Sequence, residues 1–487
     1  MRLYISDDAA ALACGAGRVA ARAEALGVEL FRTSSWGLHW LEPLVEIESG
    51  GARIGYGRVA PGEVAALLDG ALEHKRIGDV ASHPFIARQT RLTFARAGRT
   101  RPLSLDDYAA TGGWIGLKRA RAIGAGAIVE EVKTSGLRGR GGAGFPAGIK
   151  WETARRAPVP RKYIVCNADE GDSGTFADRT LMEGDPFCLI EGMAIAGLAV
   201  GADKGFVYIR SEYPHAIAKM EAAVRLSAAL VAPFAIEVRV GAGAYVCGEE
   251  TSLLNSLEGR RGEVRAKPPL PAIEGLFGCP TVVNNVLTLA AVPWILANGG
   301  QAYADFGAGK SRGTMPIQLA GNIRHAGLFE TAFGLTLGEL VHDIGGGTAS
   351  GRPVKAVQVG GPLGAYFPPS LFDTVFDYEA FAARDGLVGH AGIVVFDDSV
   401  DMAAQARFAF QFCAAESCGK CTPCRLGAVR GYETMERMIA GEDPAANLAL
   451  VEELCETMTF GSLCALGGLT PYPVMSAIRH FPEDFAR

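Results

Sequence analysis

The sequence predicts an α/β protein of several domains, and three observations predict it. At 487 residues the chain exceeds one ordinary core, and about 150 residues per domain gives roughly three. Between about residues 124 and 312, short apolar strands alternate with longer helical runs, the pattern of β-α-β units around a parallel sheet. After about residue 400 the strand signal stops and only helical periodicity remains, so a helical bundle closes the chain. Hydrophobic residues make up 49%, enough for real cores. A net charge of −6 and a pI near 5.9 give no electrostatic reason to expect nucleic acid or an anionic membrane as partner. Eleven cysteines are too dilute for a disulfide scaffold and favour a reducing compartment. The charged start Met1-Arg-Leu-Tyr-Ile-Ser-Asp-Asp lacks a signal peptide's apolar run, so a cytoplasmic protein is expected, not embedded in a membrane.

Residues 1–78 read as a small α/β unit. Strands are expected at Leu3–Ile5, Val28–Phe31, Leu44–Ile47 and Arg53–Gly57, with an Ala-rich helix from Ala9 to Leu26 and a last helix opened by Pro61. The late strands form a hairpin around Ser49-Gly50-Gly51, and the order is similar to a thioredoxin-like module. Its only cysteine is Cys14. A redox thioredoxin needs C-x-x-C and a 2Fe-2S relative four thiolates, so the unit reads as a docking module. Residues 79–123 are Arg-rich and broken by Pro84 and Pro102. Arg88, Arg91, Arg96, Arg99 and Arg101 lack the aromatic interleaving of a nucleic-acid patch, and the segment is expected to be a linker lying on a neighbouring domain or subunit.

The α/β domain, 124–312, opens on Gly136-Leu-Arg-Gly-Arg-Gly-Gly-Ala-Gly-Phe-Pro-Ala-Gly-Ile-Lys-Trp151. G-x-G-x-x-G occurs at 139–144, but a helix precedes it and Phe145-Pro146 follows, so the dinucleotide fingerprint's strand-to-helix context is missing. What remains is a glycine-dense loop whose backbone can approach a planar ring or a phosphate, with Arg140 and Lys150 as charge partners. Strand Tyr163–Cys166 runs into the polar loop Asn167-Ala-Asp-Glu-Gly-Asp-Ser-Gly-Thr175, and ligands of open α/β sheets bind outside such carboxyl ends. A later strand, Ile236–Val240, runs into Gly241-Ala-Gly-Ala-Tyr-Val-Cys-Gly-Glu-Glu-Thr251. Glu249 and Glu250 open a helix there, where carboxylates also complement the helix dipole. The apolar run Pro186–Ala202, interrupted by Glu191, reads as a buried core helix. A small β-grasp-like insertion is expected over 313–370, a return to the α/β domain over 371–400, and the helical domain over 401–487.

That last domain carries Glu416-Ser-Cys-Gly-Lys-Cys-Thr-Pro-Cys-Arg425 and a remote Cys464. Thiolates at Cys418, Cys421 and Cys424 with two-residue gaps can wrap a cubane, and Cys464 completes a Cys₄ set. Zinc is the rival, although structural zinc sites usually bring two close pairs rather than three plus one. A zinc-bearing assembly scaffold without flavin is the corresponding alternative for the whole chain.

Gly-Arg-Gly-Gly-Ala-Gly-Phe-Pro (139–146), Cys-Asn-Ala-Asp-Glu (166–170), Gly-Ala-Tyr-Val-Cys-Gly-Glu-Glu-Thr (243–251), Asn284-Asn285 and the cysteine motif together resemble the NADH-binding flavoprotein subunit of respiratory complex I and its relatives in hydrogenases and formate dehydrogenases. Within that family, the head without cluster cysteines and the runs Phe85–Arg96 and Cys166–Arg179 look most like the beta subunit of soluble, molybdenum-containing NAD-dependent formate dehydrogenase. The resemblance implies a Rossmann-like FMN- and NADH-binding domain and a 4Fe-4S cluster on Cys418, Cys421, Cys424 and Cys464. It implies FMN contacts from Gly139, Arg140, Gly141, Lys150, Asn167, Asp169, Ser173, Asn284 and Asn285. NAD would meet Phe145, Glu170, Asp172, Tyr245, Glu249, Glu250 and Lys267, with Tyr245 and Glu249 orienting it and no protein catalytic residue needed. Leu270 stands where relatives can carry an aromatic against the adenine. The implied partners are a molybdenum- and iron-sulfur-containing catalytic subunit and a small thioredoxin-like 2Fe-2S subunit. Asp172, Glu249 and Glu250 favour NAD over NADP, whose 2′-phosphate they would repel.

Overall fold

A computed structural model describes residues 2–49 and 52–485. The first sheet holds β1 (Arg2–Ser6), β2 (Glu29–Thr33), β3 (Val45–Ser49), β4 (Ala52–Tyr56) and β5 (Arg76–Asp79) in the order β2-β1-β3-β4-β5, with only β1 and β2 parallel. The expected hairpin is present as β3 and β4, while Gly50 and Gly51 lie outside the described residues. The single helix expected from Ala9 to Leu26 is two helices, Ala9–Ala13 and Ala16–Ala25. Gly15 separates them at φ +105°, a left-handed step that an α-helix cannot continue. Strand β5 is an addition to the strands expected from sequence.

The segment expected as a linker does lie on its neighbours, but it contains helices Pro84–Ala87, Leu105–Ala110 and Ile115–Ile123. Its arginines make contacts within the chain. Arg96 forms an ion pair with buried Asp185 at 2.6 Å, Arg91 donates to the Trp36 carbonyl and Arg88 to that of Asp343. The Glu330 carboxylate accepts the backbone N–H groups of Leu92, Thr93 and Phe94, stapling this segment to the third sheet.

The second sheet is fully parallel, as its strand and helix alternation dictates: β6 (Tyr163–Ala168), β7 (Lys204–Ile209), β8 (Ala235–Val240) and β9 (Thr281–Asn285) in the order β8-β7-β6-β9. Helix Pro186–Val200 is buried on nearly every side between this sheet and helices Ile115–Ile123 and Val286–Asn298. Its one carboxylate, Glu191, is tolerated because it accepts from the Tyr108 hydroxyl and from the N–H groups of Trp114 and Leu117. No helix among the described residues is long and apolar enough to cross a membrane.

A short ribbon, β10 (Gly307–Ala308) with β11 (Ser311–Arg312), leads to the third sheet. Its strands are β12 (Thr314–Gly321), β13 (Gly327–Ala332), β14 (Val354–Val359), β15 (Tyr366–Phe367) and β16 (Gly392–Asp397), in the order β13-β12-β16-β14-β15. The sequence reading places β16 in the returning α/β segment 371–400, but it belongs here. It pairs parallel with β12 and antiparallel with β14, and Ile393 and Val395 enter this sheet's core. The chain ends in helices Met402–Glu416, Thr422–Ile439, Pro444–Gly461, Ala465–Leu469 and Pro471–His480.

Candidate functional site

The carboxyl ends of β6 and β9 face the glycine loop, so the topology alone gathers three of the segments singled out in the sequence. Gly142 makes an isolated bridge to Gly389, and Arg138 one to Pro146. A Cβ on Gly141 would lie 2.8 Å from the Cβ of Asn285, so only glycine allows this approach. Arg140, 1% exposed, does not reach outward. Its guanidinium donates to the Tyr303 hydroxyl and to the carbonyls of Arg138 and Arg312, its N–H donates to Thr288, and its carbonyl meets His390 Nδ1 at 2.7 Å. Expected as a phosphate partner, Arg140 instead anchors the loop from below. Phe145, by contrast, is half exposed at the loop's end, and Gly139 is held by the Tyr378 hydroxyl at its carbonyl.

Beside the loop, Lys150 Nζ reaches Glu250 at 3.2 Å and the Val283 carbonyl at 3.0 Å. Lys267 bridges Glu249 and Glu250 at 2.8 and 3.0 Å. Glu249 also caps helix Glu250–Leu257, accepting from the N–H groups of Thr251 and Ser252. Burial works against charge on Glu250, but Lys150 and Lys267 outweigh it and hold its carboxyl below the ordinary range. Asn167 donates to the Gly248 carbonyl, joining the β6 loop to this turn. Asn284 accepts from the Trp151 indole, Asn285 donates to Asp178 at 2.6 Å, and Ser173 is exposed. Both Asp169 carboxyl oxygens are buried without a hydrogen-bond partner, and burial pushes this group up to about 7. The Asp172 carboxylate accepts from the Tyr245 hydroxyl at 2.8 Å. Glu170, expected on the nucleotide, is turned into the core. It accepts the N–H groups of Asp178 and Arg179 and the Tyr213 hydroxyl, and lies 3.2 Å from His390 Nε2.

The cysteine centre adjoins these residues through Tyr245. The Tyr245 N–H donates to Glu416, two residues before Cys418, and its ring meets Phe412 edge-on with centroids 4.9 Å apart. Arg261 donates to the Cys418 carbonyl. Cys421 and Cys464 are the residues capping helices Thr422–Ile439 and Ala465–Leu469, and Cys424 lies in the first turn of the former. A buried fifth thiol, Cys413, has its sulfur 3.8 Å from that of Cys424, and the Ser417 hydroxyl is 3.3 Å from the same atom. The four expected ligands are thiols divided three plus one, a donor set that suits a 4Fe-4S cluster.

Two family models match the chain. The Nuo51 FMN-binding domain covers residues 132–294, from before the glycine loop through Asn285. The NADH-ubiquinone oxidoreductase-F iron-sulfur binding region covers 404–487, with all four cysteines. The chain is 43% identical over 392 residues to the F 2 subunit of NADH-quinone oxidoreductase from Rhizobium meliloti, covering 78% of this chain and 93% of that protein. The chain belongs to the family of NADH-quinone oxidoreductase F subunits. The Escherichia coli member is 37% identical over 407 residues, 81% of this chain and 92% of that one. The NADP-reducing hydrogenase subunit HndC of Solidesulfovibrio fructosivorans is 43% identical over 408 residues, 82% and 83% of the two chains. Among solved structures, an NAD+-reducing [NiFe]-hydrogenase is similar with a TM-score of 0.73 and 32% identity, over 99% of this chain and 84% of that one.

As a member of that family, the chain is a diaphorase-type oxidoreductase subunit using FMN, a 4Fe-4S cluster and NAD(H). Its residues fit these groups. Gly141 brings the loop backbone against Asn285 where a side chain would collide, Asp169 offers two orphaned buried acceptors, and the four-thiolate donor set suits a cubane. Sequence reasoning missed Trp151, Asp178, Thr288, Tyr303, Tyr378 and His390. Each acts on the site through a hydrogen bond to a residue far away in sequence, which no local motif records.

Proposed function

We propose that the chain is the diaphorase subunit of a soluble, molybdenum-containing, NAD-dependent formate dehydrogenase. The observation that carries the electron route is the Tyr245 turn, which hydrogen-bonds Glu416 beside the cysteine run while its side chain holds Asp172. One residue thereby links the nucleotide side to the cluster side. FMN would supply hydride exchange with nicotinamide and single-electron exchange with the cluster. The chain's own work is positioning. Gly139, Gly141, Lys150, Asn167, Asp169, Ser173, Asn284 and Asn285 would hold FMN, with Arg140 fixing the loop from beneath. Phe145, Asp172, Tyr245, Glu249, Glu250 and Lys267 would hold NAD(H) above it. The formate assignment is supported by the head without cluster cysteines and the runs Phe85–Arg96 and Cys166–Arg179. Electrons would arrive from a partner's molybdenum centre, with a small 2Fe-2S subunit as a second partner.

A second reading, the diaphorase of an NAD-reducing hydrogenase, is favoured by likeness to such an enzyme over 99% of this chain. Anaerobic purification of the native assembly separates them. Molybdenum with formate-dependent NAD+ reduction supports the first, nickel with hydrogen-dependent reduction the second. The isolated chain is expected to show flavin bands and a broad iron-sulfur shoulder that NADH bleaches, and a colourless protein retaining zinc would overturn both.

A further inference from the structure

His390 lies on the loop before β16 and is 4% exposed, yet it touches both halves of the flavin cradle. Its Nδ1 is 2.7 Å from the Arg140 carbonyl in the glycine loop. Its Nε2 is 3.1 Å from Asp178 and 3.2 Å from Glu170. The carbonyl can only accept, and above about pH 6, to which burial pushes Asp178, both carboxylates likewise only accept. Nδ1 hydrogen-bonds the carbonyl, while Nε2 makes no well-aligned hydrogen bond and stands between the two carboxylates as a charge contact, which an imidazolium satisfies and a neutral ring, with its one N–H on the carbonyl, does not. Asp178 accepts from Asn285, the residue at the carboxyl end of β9 that packs against Gly141. Glu170 accepts the Asp178 and Arg179 N–H groups in the first turn of helix Ala177–Gly184.

We propose that His390 is a positioning residue held permanently as an imidazolium, clamping the glycine loop through Arg140 to Asn285 through Asp178, and so fixing the FMN cradle from outside the cofactor. The inference rests on the chain's FMN-binding domain and not on the formate assignment. Burial alone would strip the proton, but Asp178 and Glu170 hold it, and the histidine's pKa is raised well above its ordinary value. The charge also offsets two buried carboxylates whose other partners are neutral donors, the Asn285 amide on Asp178 and backbone N–H groups and the Tyr213 hydroxyl on Glu170. Its removal therefore has an electrostatic consequence as well as a mechanical one: an added negative field disfavours electron uptake by the flavin.

The test is made on the full chain loaded with FMN and cluster. With histidine rings labelled with 15N, one signal, absent in His390→Gln, is expected to report both nitrogens protonated at pH values well above 7. A neutral imidazole there overturns the proposal. His390→Gln is expected to weaken FMN binding about tenfold or more, as for a lost charged hydrogen bond, and to lower the flavin midpoint potential. Unchanged affinity and potential in a folded His390→Gln protein would overturn it. Because the three ligand atoms also lie within 4.8 Å of one another, metal analysis is the last arm. A divalent ion other than the cluster's iron, retained by the parent and lost from His390→Gln, would replace the clamp with a metal site. Absence of such an ion supports the clamp.

Discussion

Asp169 is the residue whose surroundings most disagree with its chemistry: a carboxyl 8% exposed, with neither oxygen satisfied and a pKa of about 7. An unfolded aspartate titrates near 4. Between those values the flavin-free folded protein keeps a proton the unfolded chain has released, so stability falls as pH rises from about 4 to about 7. Asp169→Asn removes that dependence. At about pH 8 the flavin-free variant should exceed its parent by on the order of 2–4 kcal/mol in urea unfolding, and the two should converge near pH 4. A pH-independent offset would reject the assignment. Glu250 behaves oppositely, because two lysines hold its charge. Glu250→Gln should raise the KM for NADH about tenfold or more while leaving bound FMN in place. Flavin content by fluorescence and steady-state kinetics separate the two effects.

At the scale of elements, the decisive device is the short approach of the glycine loop to the end of β9. Gly141→Ala places a methyl against the Asn285 Cβ at 2.8 Å. It should abolish FMN retention while leaving the cluster's electron paramagnetic resonance signal intact, since the cysteines sit on other helices. The complementary change, Cys421→Ala, should remove that signal and spare NADH reduction of flavin, seen by stopped-flow bleaching. Much of this layout was legible in the chain. Parallel strands, helical tail and cysteine spacing are local patterns with fixed periods. What escaped was set by partners distant in sequence. Strand β16 reads like any short apolar strand, and only its pairing with both β12 and β14 places it in the third sheet. Arg140 and Glu170 are polar residues inside glycine-rich motifs, and nothing local shows that Tyr303 and His390 stand ready to bury them.

At the scale of the whole molecule, the N-terminal unit read from sequence as a docking module is continuous with the rest. Trp36, Leu38 and Leu44 are buried in the core of the third sheet, and the Gly37 carbonyl accepts from the Leu328 N–H. Asp7 pairs with Lys219 at 2.7 Å, and the Ala9 N–H donates to Glu183. Full burial of one large apolar side chain contributes about 1.5–3 kcal/mol. Three such residues therefore approach the total stability of about 5–15 kcal/mol typical of a folded domain. A chain starting at Gly78 should lose the parent's cooperative thermal transition, bind a hydrophobic dye and aggregate, although every expected cofactor ligand is still present. The measurement is differential scanning calorimetry of both proteins after cofactor reconstitution. A truncated chain that melts with the parent and retains flavin would show the head to be a detachable module. Loss of the transition would mean that the third sheet, and with it the His390 loop, depends on residues far from any cofactor.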